Sequence, residues 1–213
     1  MTTTMPDFHI RRAYTGEYEH AVSLLFSSGP EAFTWLYGNG DSLRAMAFLS
    51  NSFTRDDTAL SHNNIWCVTL DGNVVATFIL ATKASAEALS GPGITQVFRY
   101  YGFSSALTCS WRAIRLERSL PAPKPNCLHL SGVAVDPKFR GQGILRVIID
   151  FADQKAFEVE CSMLSLDVAK SNTLAMAMYQ HLGFVHQYSR PAPHKTVPGF
   201  HYMTRAVLDR DEE

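Results

Sequence analysis

Apolar and polar positions divide this chain into strands and helices that alternate along its length. Phe8-His9-Ile10-Arg11-Arg12-Ala13 alternates at period two and predicts a first strand. A helix over about 17–26 should follow Thr15-Gly16, with Ala21, Leu24 and Leu25 on one face. Residues 29–62 read as helical, broken at Gly29-Pro30 and at Gly38-Asn39-Gly40. Strands at 65–70 and 74–80 flank Asp71-Gly72-Asn73, a turn with glycine available for positive φ, so a hairpin is expected. The next strand begins near 128, and the gap is longer than a plain connection needs. Helices over about 93–101 and 104–119 would fill it, as an insertion at 84–122 that ends at Leu120-Pro121-Ala122-Pro123.

A central strand at 128–135 comes next. Residues 143–157 follow as a helix with Ile144, Val147, Ile148, Phe151 and Ala152 at helical spacing. Residues 163–168 make a strand and 173–182 a helix, capped by Ser171 or Asn172 and closed by Gly183. Strands at 184–190 and 199–207 finish the chain around a proline-bearing loop at 191–198. The fold class is α/β.

Composition narrows the possibilities. The 213 residues suit a single domain over 1–213, and a hydrophobic fraction of 46% suffices for a full core. A formal net charge of -1 gives no general case for nucleic acid or an anionic membrane as partner. Phe98, Arg99, Tyr100, Tyr101, Phe103, Trp111, Arg112, Arg115 and Arg118 mix aromatic and basic character. Stacking on bases is one reading, and a helical insertion that packs its rings and solvates its arginines is the favoured one. Cys67, Cys109, Cys127 and Cys161 lack metal-ligand or disulfide-framework spacing and read as reduced, buried, inert thiols of a cytoplasmic protein. The first residues lack the charged and apolar regions of a signal peptide, and both polar ends should be loose. No metal site is expected, and His181 and His186 should lie at the surface.

The stretch with the most chemistry is Leu128-His129-Leu130-Ser131-Gly132-Val133-Ala134-Val135-Asp136-Pro137-Lys138-Phe139-Arg140-Gly141-Gln142-Gly143-Ile144-Leu145. Proline ends the strand, and two glycines sit where a helix must start. The first N–H groups of a helix have no partner within it, so glycine there lets them crowd an incoming phosphate, with Arg140 adding charge. No Gly-Lys-Ser/Thr follows, which excludes a P-loop, and Arg146 breaks the dinucleotide spacing Gly-x-Gly-x-x-Gly.

Arg140-Gly141-Gln142-Gly143-Ile144-Leu145 resembles the acyl-CoA diphosphate loop of the GCN5-related N-acetyltransferases (GNAT), with Leu145 in place of a small residue. About thirty residues on, Asn172-Thr173-Leu174-Ala175-Met176-Ala177-Met178-Tyr179-Gln180-His181-Leu182-Gly183-Phe184 is similar to that family's second signature, with Met178 where leucine is usual. The resemblance is strong over roughly 126–206. It implies a mixed, splayed sheet with helices on both faces, and acetyl transfer from acetyl-CoA to a primary amine by direct attack. It also implies that early helices form one wall of the acceptor site.

Backbone groups of Val133, Ala134 and Val135 would hold the pantetheine arm and polarise the carbonyl. Arg140, Gly141, Gln142, Gly143, Ile144 and Leu145 would cradle the diphosphate, helped by Arg146, with Leu145 threatening to crowd the site. Asn172 would contact the cofactor arm and Tyr179 would be the general acid, a neutral phenol able to donate to a thiolate. Asp167 and His129 are the candidates for the base. Asp167 sits where the ribosomal-protein alanine N-acetyltransferases of the family carry a glutamate, and His129 has an ordinary pKa suited to proton relay. A non-catalytic acyl-CoA sensor and a transferase for longer acyl groups remain open. The acceptor, a small-molecule or peptide amine, is not legible, and a homodimer is compatible with the sequence.

Overall fold

The structure, a computed structural model, describes residues 7–208, so the polar ends at 1–6 and 209–213 lie outside the described residues. Seven strands form one sheet: β1 (His9–Arg12), β2 (Ile65–Leu70), β3 (Asn73–Ala81), β4 (Cys127–Val135), β5 (Met163–Ala169), β6 (Val185–Arg190) and β7 (Phe200–Ala206). Their order is β1-β2-β3-β4-β5-β7-β6, and among the described residues the only parallel pairing is β4 with β5. The β2–β3 turn is tighter than expected. Asn73 belongs to the strand, and Asp71 (φ 49°) and Gly72 (φ 79°) alone make a two-residue turn of the kind that matches strand twist.

Helices cover both faces. On one, α5 (Ile144–Glu158) and α6 (Thr173–His181) close a core in which Ile148, Ile149 and Ala152 meet Val75, Phe78, Leu130, Leu164 and Leu166. On the other, α1 (Tyr18–Ser27) and α3 (Ser42–Phe53) pack Leu25, Leu49 and Phe53 on Ile65, Cys67 and Ala134. The short α2 (Pro30–Leu36) starts with proline in its first turn and joins Trp35 and Leu36 to Val197 and Phe200. All four cysteines are buried and unpaired.

The helical part of the insertion starts earlier than expected, while its break falls between the two expected helices. A single kinked element, α4 (Lys83–Glu117), begins ten residues earlier than expected, because Thr82 and Ser85 cap its start reciprocally. It runs on through Pro92, and the break falls at Gly102, whose φ of 71° and ψ of 175° suit glycine alone. Bonds tie α4 to the early helices: Gln96 to Ser52 (2.7 Å), Tyr101 to the Tyr37 carbonyl (2.6 Å) and Cys109 to the Leu36 carbonyl (3.2 Å). No described helix is long and apolar enough to cross a membrane.

Candidate active site

A register fault in β4 sets up the site. Thr77 faces Ala134 but Ile79 faces Ser131, so β4 carries one residue too many, and Gly132 takes it up at φ 60°. The alternation His129–Ser131 holds, then shifts: Leu128 and Leu130 share a core with Val133 and Val135 rather than with Ala134. A side chain at 132 would sit about 3.0 Å from Leu25 Cδ1 in a left-handed backbone. Pairing of β4 with β5 runs from Cys127–Met163 to Leu130–Leu166 and stops there. Beyond Leu130 the strands part, and the edge of β4 at 131–135 has no strand beside it on the β5 side.

The gap is a cavity of about 380 Å³. Ser131, Gly132 and Val133 line it from β4, Asp167 from β5, and Asn172 and Tyr179 from α6. The α1–α2 junction closes another wall with Ser28, Pro30 and Glu31. Asn172, rather than Ser171, caps α6: its Oδ1 accepts from the Ala175 N–H at 3.1 Å, which leaves its amide N–H groups available. Tyr179 is buried with its ring edge-on to Phe184 at 5.6 Å. Burial raises its pKa further, so the phenol is neutral at any working pH, and its hydroxyl has no hydrogen-bond partner among the described residues.

Behind the cavity wall Asp167 belongs to a buried polar cluster. Its Oδ1 accepts from Arg190 Nη1 at 2.8 Å, and its Oδ2 lies 3.9 Å from His129 Nε2. Arg190 also donates to the Tyr188 hydroxyl at 2.7 Å and stacks on Tyr188 and Tyr202. Burial pushes the Asp167 carboxyl up to about 6, against the opposing charge and hydrogen bond of Arg190. His129 departs from its expected ordinary pKa. Burial, with Arg190 nearby, pushes it down to about 4, and its Nδ1 is engaged with Ser165 Oγ at 3.0 Å. It is a neutral imidazole that lies behind Asp167, beyond hydrogen-bond distance, and does not border the cavity.

At the other end of the gap the chain turns through Pro137–Phe139 into α5. Gly141 (φ 76°) and Gly143 (φ 82°) hold left-handed conformations, with open space where a Cβ would lie. The N–H groups of residues 141–146 find no acceptor among the described residues, whereas Val147 bonds back to Gly143. Arg140 is exposed, with its Nε bonded to the Val135 carbonyl at 3.3 Å, and Arg146 is exposed one turn on. Leu145 does not crowd the turn, because its side chain packs against the α5 core. Free donors, a helix amino end and two guanidiniums together suit a diphosphate.

Residues 31–184 match the model of the Acetyltransferase (GNAT) family. The chain belongs to that family. An acetyltransferase crystal structure superposes with a TM-score of 0.65 at 16% identity, covering 94% of this chain and 100% of its own. The ribosomal-protein-S18-alanine N-acetyltransferase from Escherichia coli gives 0.53 at 16% identity, covering 97% and 98%. An agmatine N-acetyltransferase variant in its apo form gives 0.55 at 16% identity, covering 94% and 100%. These likenesses concern the fold.

GNAT enzymes take acetyl-CoA as cosubstrate and amines as acceptors, and the donors at 141–146 together with the unpaired strand edge fit such a ligand. Of the residues expected from the sequence, Val133, Asp167, Asn172 and Tyr179 meet at one cavity, residues 140–146 form a separate turn at the start of α5, and His129 lies behind the wall. Sequence reading missed Arg190 and Glu31. Arg190 reaches Asp167 from a strand that is not adjacent to β5, and Glu31 lines the cavity from a helix far away in the sequence, so neither carries a local signal.

Proposed function

We propose that this GNAT enzyme transfers an acetyl group from acetyl-CoA to a primary amine by direct attack, with Asp167 as base and Tyr179 as acid. The observation that supports this best is the convergence of Asp167, Asn172, Tyr179 and the free edge of β4 on one cavity. When bound, acetyl-CoA supplies an acetyl group activated as a thioester. The N–H groups at 141–146, with Arg140 and Arg146, hold its diphosphate. The edge of β4 at Val133, Ala134 and Val135 holds the pantetheine arm as an added strand would, and its amides polarise the thioester carbonyl.

Asp167 takes the proton from the incoming ammonium at its carboxylate. A carboxyl near 6 is mostly ionised at neutral pH yet a stronger base than an ordinary aspartate. The amine nitrogen then bonds to the acetyl carbon as the carbon–sulfur bond breaks. The Tyr179 hydroxyl gives its proton to the sulfur, and the second proton shed by the nitrogen restores the phenol, leaving a neutral amide and a free thiol. The amide N–H groups of Asn172 are placed to orient the arm. Buried, unpaired thiols fit a reducing compartment such as the cytoplasm.

Removing the Tyr179 hydroxyl tests the reading. With a competent amine, Tyr179→Phe should lower kcat by about 10²–10⁴ while coenzyme A affinity by calorimetry moves little. Unchanged kcat would remove Tyr179 from the acid role. Absence of any heat with coenzyme A would remove the whole assignment.

A further inference from the structure

The reaction cavity has a neighbour across the α1–α2 junction. Pro30 and Glu31 also border a second cavity, of about 570 Å³, on the outer side of α2. Its lining includes Trp35, whose ring stacks on His194 with centroids 5.4 Å apart, and it extends to Asn39 and Arg112. Asn39 and Arg112 in turn border a third, small cavity of about 70 Å³, completed by Arg44, Ser105 and Thr108. That volume is a little over the liquid share of two waters, about 30 Å³ each, and so admits one small oxyanion.

The small cavity is cationic without compensation. Arg112 donates to Asn39 Oδ1, and Arg44 lies over the Tyr101 ring at 5.0 Å. Arginines with a carboxylate partner among the described residues are Arg11, Arg55, Arg190 and Arg205, and neither Arg44 nor Arg112 is one of them. Both guanidiniums line this one small cavity, together with Cys109. Two guanidiniums on one cavity, with the Ser105 hydroxyl and the Asn39 side-chain amide, form a donor set for phosphate or carboxylate oxygens; Thr108 completes the wall, its hydroxyl donating to the Ser104 carbonyl at 3.4 Å. These neighbouring cavities differ in the sign of their charge, with Asp167 and Glu31 lining the reaction cavity and the two arginines lining the smallest.

We propose that Arg44 and Arg112, with Ser105 and Asn39, form an oxyanion subsite of the acceptor cavity, so that the acceptor is an amine with a phosphate or carboxylate remote from its nitrogen. This rests on the acetyltransferase reading for its amine end. The insertion then has a role in substrate choice, since α4 supplies Arg112, Ser105 and Thr108.

The test uses the full chain saturated with coenzyme A, which fills the diphosphate turn so that added anion cannot bind there. Inorganic phosphate is titrated by calorimetry against chloride at matched ionic strength. Wild type should bind phosphate saturably, and Arg44→Gln with Arg112→Gln should weaken it by about tenfold or more. If that pair of changes lowers folding, Ser105→Ala serves instead and should weaken phosphate binding by a smaller factor.

Matched amines then separate an acceptor tail from a detached anion site. Across a series of ω-amino acids from β-alanine to 12-aminododecanoate, at least one spacer length should give a KM about tenfold or more below that of the matched n-alkylamine, and phosphate should compete with that member. Equal phosphate binding in wild type and variants overturns the subsite while leaving the enzyme reading intact. Phosphate binding through the arginines with no KM advantage overturns its assignment to the acceptor. Failure of coenzyme A to bind is a failure of the acetyltransferase reading and is seen before any phosphate is added.

Discussion

At the scale of single residues, His129 and Asp167 are displaced in opposite directions by the same burial. Asp167, raised from its ordinary 3.8 to about 6, holds a proton in the folded state that the unfolded chain has released. Acidification across that window therefore favours folding. His129, lowered from 6.5 to about 4, is neutral when folded while the unfolded chain is already protonated, so acidification across its window disfavours folding. The windows overlap almost completely, and the two effects offset each other. Wild-type stability should carry little pH dependence from this cluster, whereas the variants should expose one component each. His129→Gln should gain stability from pH 6 to 4 relative to wild type, and Asp167→Asn should lose it, by on the order of 2–3 kcal/mol in each case. Urea titrations at several pH values measure this, and parallel curves for all three proteins would sink it. Activity follows a separate course. The base form of Asp167 is lost as pH falls through about 6, so kcat/KM should drop there.

At the scale of elements, the bulge in β4 converts an ordinary strand pair into a site. Gly132→Ala should cost about 1–3 kcal/mol, since alanine at φ 60° is strained and its Cβ would press on Leu25. Coenzyme A affinity should fall with it, because the free edge at 131–135 depends on that turn of the chain. Denaturant unfolding and calorimetry on the one variant check both, and a normal affinity would mean that the bulge does not shape the cofactor edge. The sequence made β5, α5 and α6 legible, because their apolar spacing follows the period of the element and Asn172 and Gly183 mark the ends of α6. It also pointed to Asn172 and Tyr179 through the second signature, and to Asp167 through its place five residues before Asn172, where relatives of the family carry a glutamate. The bulge itself was not legible: Gly132 sits in a run that alternates well up to Ser131, and a one-residue fault is visible only against the partner strand. Nor was the start of α4, where Gly91-Pro92-Gly93 suggests a break that the flanking helix formers and the Thr82 cap override. Arg190 escaped because its contact with Asp167 spans β7 and is fixed by sheet order.

At the scale of the whole molecule, the proposed donors for the cofactor and the proposed walls for the acceptor come from different parts of the chain. The turn at 140–146, β4 and α6 lie within 127–181, while the cavity on the outer side of α2 is lined from α2, α3, α4 and the β6–β7 loop. The kinked α4 clamps that side together. Before the kink, Tyr101 holds the Tyr37 carbonyl and Gln96 holds Ser52. After it, Cys109 holds the Leu36 carbonyl, and just beyond the helix Ser119 holds the Pro191 carbonyl at 2.8 Å. Both limbs reach their partners only if the chain turns at Gly102, in a backbone region essentially closed to other residues. A Cβ there meets nothing within 4 Å, so substitution acts through the backbone alone. Gly102→Ala should therefore cost about 1–3 kcal/mol in unfolding free energy, and loosen α2 through its bonds to α4. Because α2 borders the reaction cavity at Pro30 and Glu31, KM for the amine should rise by about tenfold. Coenzyme A affinity should stay within about twofold, since no bond of α4 named above reaches the diphosphate turn. A parallel loss of coenzyme A affinity in Gly102→Ala would mean that the two halves are mechanically one, and that the insertion supports the cofactor site as much as the acceptor wall.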